Sequence, residues 1–410
     1  MTLPAAMVWE LQGGVGNDLN SGLFKLGGSG TDFSQQAAPQ LDLSDWKAVA
    51  GKLDRAYSVA SGAQLTSEKI DNGIQFSAGS NVLTGFYHVE GQGSDGDGSY
   101  LLLDRAWASA GTTNGTGRLG GCLAGFEVMD SILIAGNIVY VKAGTYTLAG
   151  SITFANGNST TQSRIIGYSS ARGDNPTGLS RPLIAQGGNG WSLGTYNLMK
   201  NVRGTTTHSN GCYMSTYCVG INLDWENTGA LSTDRAFRVD GVRLIDCVGK
   251  SANGRAFGAT YACKFMQCRA HHSNEGIAIL SNGSHTHIID CVIDHNTAAG
   301  IVADGMSFLA IEHNTIDAND KGFDSNASYG DVFRNNIFSN NVTYGITLDS
   351  EYKNNHFDYN LFHNNGTDRN NAEIGDNDKS YDPLYNDAAN GDYSRPTATE
   401  DGFGMRLGVG

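Results

Sequence analysis

The stretch NHFDYNLFHNN, residues 355–365, sets Asn, aromatic and aliphatic residues in an order already used twice, in IEHNTIDAN (311–319) and VFRNNIFSNN (332–341). Aligned on their central residues, Asn314, Asn336 and Asn360 fall 22 and 24 residues apart. The series runs back through Cys291, Cys268 and Cys247 in steps of 23, 23 and 21. Asn296, Asn319, Asn341 and Asn365 form a second column five residues later, and Gly276, Gly300, Gly322 and Gly345 a third. A period of roughly 20 to 25 residues is the signature of a solenoid.

Within each period the apolar residues alternate over short runs, such as Ile277/Ile279 and Ile346/Leu348 after their Gly. Such runs are too short for helices and have the two-residue period of strands. Three short strands per turn predict an all-β, right-handed parallel β-helix whose coils stack about 4.8 Å apart. Equivalent residues then become neighbours and form ladders. Asn314, Asn336 and Asn360 are expected at left-handed bends, each amide bonding to the Asn above and below. Cys247, Cys268 and Cys291 continue that column as small hydrophobes.

Composition narrows the function classes. The chain has 410 residues, 55 Gly and 6 Pro, which suits many tight bends. Its net charge of −14, with no basic cluster, argues against nucleic acid and anionic membranes as partners. No apolar run is long enough to span a bilayer. The start MTLPAAMVWELQGG shows no export leader. Only SDWKAVAGKLDRAYSVA (44–60) has mixed helical spacing. Cys212 and Cys218 could pair, and no zinc spacing occurs.

Four segments are expected: an N-terminal arm (1–30), a small β module (31–120), the β-helix (121–380) and a C-terminal capping tail (381–410). The helix has room for about eleven coils, on the order of 50 Å. In the module, GFYHVEG (85–91) and SYLLLDRAW (99–107) read as paired strands around the tip QGSDGDG. Asp95 and Asp97 at that tip are the candidate calcium ligands, although the full ligand series of a calcium loop is missing. The arm carries the apolar anchors Val8, Trp9, Leu11, Leu23 and Phe24. They are expected to bury against a neighbouring subunit or a capsid surface.

GNIVYVKAGTYTL, RIIGYSSARGDNP and DPLYNDAANGDYS resemble the pectate-lyase-like superfamily of right-handed β-helices over residues 125 to 395. That superfamily includes lyases, hydrolases, epimerases and non-enzymatic virion proteins. GTDFSQQ, AGSNVLTGFYHV and LLLDR resemble a module found ahead of such helices in bacteriophage and environmental bacterial proteins. The second resemblance implies a bacteriophage virion structural protein: a capsid decoration, spike or fibre, assembled in the host cytoplasm. Its partners would be two further copies in a homotrimer, phage capsid or tail proteins, and a host surface glycan. The alternative is a secreted polysaccharide lyase or glycoside hydrolase acting on an acidic polysaccharide.

For a lyase, the resemblance implies calcium on clustered Asp residues and an Arg or Lys base. NDKGFDSNASYGDVFRNN (319–336) is similar to part of a pectate lyase family with a lysine base. At the places corresponding to its acidic cluster and lysine, this chain reads SNEGIAIL and AGIVADG, with Glu275 alone and no Lys; Lys321 lies in another coil. For a hydrolase, two carboxylates about 5 to 9.5 Å apart are needed on one face. Asp304, Asp324 and Asp349, each shortly after a column Gly, are the best set. No confident catalytic residue follows, and no cofactor is expected beyond the lyase's calcium. Glu312, Arg334 and Asp358 read as a surface charge ladder, and Arg172-Gly173-Asp174 as a loop.

Overall fold

The computed structural model describes residues 7–129, 133–280, 285–326, 328–349, 354–395 and 403–404. The chain forms two compact units, Met1–Leu148 with Ala155–Ile184, and Ala149–Phe154 with Ala185–Gly410.

In the first unit six antiparallel strands, Leu41–Val49, Lys52–Ser58, Gly73–Ala78, Gly85–Asp95, Gly98–Leu103 and Thr112–Leu119, close a barrel. The segment with helical spacing is the hairpin of its first two strands. Gly51, at φ +83°, makes the turn, and Trp46 and Ala48 alternate inward. Tertiary packing overrides a weak local period here, because Trp46, Phe76, Tyr87 and Trp107 need one common interior. Phe76 and Trp107 stack with ring centres 4.2 Å apart.

The N-terminal segment is part of the same unit. Met7–Leu11 pairs in parallel with Ile138–Lys142 and antiparallel with Leu23–Lys25. Val8, Trp9, Leu11 and Leu23 are fully buried and Phe24 nearly so, all within this chain. The docking role expected of these five residues is therefore corrected. Their side chains are covered by residues of the same chain, which leaves no apolar surface of these five for a partner. Trp9 packs edge-on against Phe86, with ring centres 5.2 Å apart.

Arg172 of the Arg-Gly-Asp triplet binds this strand. Its Nε donates to buried Glu10 at 2.8 Å, and its terminal nitrogens donate to Asp32 and Ser34 at 2.7 and 2.9 Å. Asp174 caps its own loop by accepting from the amides of Ser169, Ser170 and Ala171.

The three-strand pattern repeats ten times between Ile138 and Asn370 among the described residues, one fewer than expected. In the second unit each strand pairs in parallel with its equivalent one coil on, building three sheets. Sheet 1 runs through Val219–Ile221, Arg243–Ile245, Lys264–Met266 and His287–Ile289. Sheet 2 runs through Val248–Ser251, Arg269–His271, Val292–Asp294 and Thr315–Asp317. Sheet 3 runs through Asn210–Met214, Arg235–Asp240, Arg255–Thr260, Glu275–Ile279, Ala299–Ala303, Lys321–Ser325 and Tyr344–Leu348.

The Asn columns are ladders. Nδ2 of Asn314 donates to Oδ1 of Asn336 at 3.0 Å, and Nδ2 of Asn336 to Oδ1 of Asn360 at 3.0 Å. The left-handed residues are the ones just before them, His313, Asn335 and Tyr359. The bend is made one residue earlier than expected, and the Asn turns inward to staple it. The second ladder, Asn296 to Asn365, has the same layout. The Gly column marks close approach between coils: a Cβ on Gly322 would lie 2.4 Å from the carbonyl oxygen of Gly345.

All seven cysteines are free and buried, Cys212 and Cys218 included. Burial pushes the Cys247 and Cys291 thiols well above the usual range.

Candidate functional site

The expected candidates do not converge. Asp324 shares its column with Val302 and Thr347, while Asp304 and Asp349 lie beyond the ends of their strands, out of register with it. The three therefore do not form one column. Lys321 Nζ sits 2.7 Å from Asp324 in a local ion pair. The tip acids Asp95 and Asp97 are held by cations of the barrel. Asp95 accepts from Lys52 at 3.0 Å, Arg55 at 2.6 Å and Tyr57 at 2.9 Å, and Asp97 from Lys52 at 2.7 Å. With ammonium and guanidinium groups on those oxygens, the calcium role is corrected to a structural ion-pair cluster. Glu312, Arg334 and Asp358 do stack in register, and Asp358 accepts from Asn377 at 3.0 Å.

What sheet 3 brings together instead is a group of arginines. Its strands turn Phe237, Val239, Phe257 and Ala259 into the core, which leaves Arg235, Arg238 and Arg255 on the opposite face. Arg235 and Arg255 are register partners, and Arg255 is followed in that column by Glu275. Arg255 Nε donates to Glu275 at 2.6 Å. Arg238 lies over the ring of Tyr213, its guanidinium carbon 4.8 Å from the centre. The Tyr213 hydroxyl donates to Asp240 at 2.8 Å, and Asp240 also accepts from Thr260.

Arg235 differs from its neighbours. Its stem crosses buried Gly258, where a Cβ would meet Cδ at 2.5 Å and Nε at 2.8 Å. One terminal nitrogen reaches Asn210 at a long 3.4 Å, and the Nε atoms of Arg235 and Arg238 are buried without a hydrogen-bond partner. Burial, and then the charges of Arg255 and Arg238, lower the pKa of Arg235. Burial and the bond to Asp240 raise that of Tyr213. Three guanidinium groups here face two carboxylates, Glu275 and Asp240. Such a face is suited to a planar anion, because the guanidinium fork matches a carboxylate.

The sequence carried a signal that composition hid: RAF occurs at 235–237 and again at 255–257, one coil apart. A repeated charged residue beside the inward-facing positions of a solenoid marks a surface column.

A second polar cluster lies on sheet 2. Arg269 clamps buried Asp294 through two bonds, 3.0 and 2.8 Å, and His295 Nδ1 approaches the same carboxylate at 2.9 Å. Asp317, the register partner of Asp294, accepts from Ser339 at 2.6 Å and Asn340 at 2.8 Å. Tyr393 of the tail donates to it at 3.3 Å. The carboxylates here are buried and fully bonded, so this cluster is a clamp for the tail. The described part of the tail lies against sheet 2 instead of over the last coil, and its remainder lies outside the described residues.

Residues 225–378 match the family model for the right handed beta helix region. No curated protein matches the chain. Among solved structures, pectate lyase Pel9A is similar at 14% identity, over 70% of this chain and 84% of that one, with a TM-score of 0.46. A mannuronic acid specific polysaccharide family 6 lyase from human gut microbiota is similar at 13% identity, over 60% and 73%, with a TM-score of 0.41. The A-module of the Azotobacter vinelandii mannuronan C-5 epimerase AlgE4 follows at 11% identity, over 60% and 91%, with a TM-score of 0.35. The solenoid is thus a right-handed parallel β-helix.

Proposed function

We propose that the protein cleaves an acidic, uronate-containing polysaccharide by β-elimination on sheet 3. The observation that carries this reading is Arg235: a half-buried guanidinium with its Nε unbonded and its pKa lowered, set between two other arginines. Arg238 and Arg255 neutralise the uronate carboxylate, which acidifies the adjacent C–H. Arg235, in the neutral guanidine form that its lowered pKa favours, takes that proton as the base. The electron pair forms the ring double bond, the glycosidic C–O bond breaks, and the Tyr213 hydroxyl protonates the departing oxygen.

The test is the ultraviolet absorbance of the unsaturated uronate product on pectate and alginate. Arg235→Ala and Tyr213→Phe should each lower the rate by roughly a hundredfold or more. Lys321→Ala and Asp324→Asn should leave it near the parent. Loss of cleavage in the Lys321 variant with full activity in the Arg235 variant would move the chemistry to the other column and sink this proposal.

A further inference from the structure

One bend position of the solenoid is strained. Between sheet 3 and sheet 1 the chain turns through a left-handed residue in each of six successive coils: Tyr196, Tyr217, Gly241, Tyr261, His285 and Phe308, at φ 55°, 63°, 64°, 60°, 64° and 61°. Further on, the same bend uses Gly330 and Asn354. Those two residues tolerate positive φ, whereas bulky aromatic residues are outliers there. Strain of this kind persists where surrounding structure enforces it, and it points to a function for the side chain it displays.

The displayed rings face solvent: Tyr217 is 59% exposed, Tyr261 57% and Phe308 51%. Tyr196 and Tyr217 stack with centres 4.6 Å apart, and His285 and Phe308 at 5.2 Å. Beside them on sheet 1, Arg243, Lys264 and His287 occupy one register column. A groove of about 400 Å³ lies between the rings of Tyr217 and His285 and the side chains of Arg243, Lys264 and His287, and none of its lining residues is an acid. Asp240, at the end of the preceding strand, is already bonded to Tyr213 and Thr260. On a chain of net charge −14, this strip is a basic exception.

We infer that this aromatic and basic groove is a second, non-catalytic binding site for an anionic polysaccharide. Flat rings, present at this bend in five of the six coils, pack against the apolar faces of sugars along the chain. The cations repeat at the same interval and meet their carboxylates or sulfates. The groove starts where the strand bearing Arg235 and Arg238 ends, so one polymer can engage both sites. The inference shares with the proposed function only the anionic character of the glycan.

The test is calorimetric titration with polygalacturonate, alginate and neutral dextran, using the full chain with Arg235→Ala so that cleavage does not interfere. Tyr217→Asn with Tyr261→Asn removes the rings while keeping a side chain that accepts positive φ; Lys264→Gln removes one charge. The anionic polymers should bind, more weakly as salt rises, and dextran should not. The double Tyr variant should bind roughly tenfold more weakly or worse at unchanged melting temperature, and the Lys variant should show a smaller salt dependence. Equal affinity of the double variant and its parent, or equal binding of dextran, would overturn the inference. Ring-dependent binding by a parent protein that cleaves none of the polymers would uphold the groove and reject the lyase.

Discussion

Asn336 shows what one residue does in a stacked coil. It is fully buried, and its Nδ2 donates to Ile311 O at 2.7 Å and to Asn360 Oδ1 at 3.0 Å. Its Oδ1 accepts from the amide and side chain of Asn314, both at 3.0 Å. Valine has nearly the same volume and none of these bonds, so Asn336→Val orphans buried groups on both neighbouring coils. The expected loss is on the order of 3 kcal/mol, measured by urea unfolding. A variant that melts with its parent would contradict the ladder. Gly322→Ala tests close approach in the same way. Its new methyl would lie 2.4 Å from a backbone oxygen that cannot move alone, and a loss of about 1–3 kcal/mol is expected from overpacking.

At the scale of the element, the first strand decides how the N-terminal segment behaves. Met7–Leu11 occupies the parallel edge of Ile138–Lys142, a position that would otherwise invite association. Deleting residues 1–30 should therefore unfold or aggregate the first unit, visible as loss of its near-ultraviolet Trp signal. The same strand carries Glu10, fully buried, whose pKa is raised by burial against the opposing pull of Arg172. Arg172→Ala leaves that carboxylate unpaired. Breaking a buried pair costs about 3–5 kcal/mol, and Glu10 can escape part of the cost by taking up a proton. The destabilisation should thus be larger at pH 8 than at pH 5, read from paired denaturant melts. A pH-independent loss would show that packing, not charge, holds the strand.

For the molecule as a whole, the clamp on sheet 2 sets an acid response. His271 has its pKa lowered from 6.5 to about 4, first by burial and then by Arg269, with Asp294 opposing and His272 and Lys250 adding to the shift. The folded state therefore keeps this imidazole neutral where the unfolded chain protonates it. Its contribution is complete above about pH 6.5 and is lost progressively as pH falls toward about 4. Asp294, whose pKa is lowered with Arg269 and His295 as partners against the opposing effect of burial, loses stability in the same direction at still lower pH. Asp317, raised by burial, works the opposite way and favours the fold when protonated. His271→Gln should flatten the decline in stability between pH 6.5 and 4, and an unchanged slope would assign the decline to other groups.

The coil period, the strand character, the two Asn ladders and the Gly column were legible in the sequence because a solenoid repeats its contacts at a fixed interval. A residue needed once per coil is written once per period. The fate of the N-terminal segment was not legible: MVWEL reads as an apolar patch whether its cover comes from another subunit or from strands more than a hundred residues away. Nor could the sequence separate Asp324 from Asp304 and Asp349, since a two-residue offset in register changes which residue shares a column. Arg235, Arg238 and Arg255 come together only because parallel pairing stacks one coil on the next and Gly258 leaves room for a guanidinium to cross. Periodicity determined the coil, but register and burial, which depend on the folded neighbours, decided where charge is left unpaired.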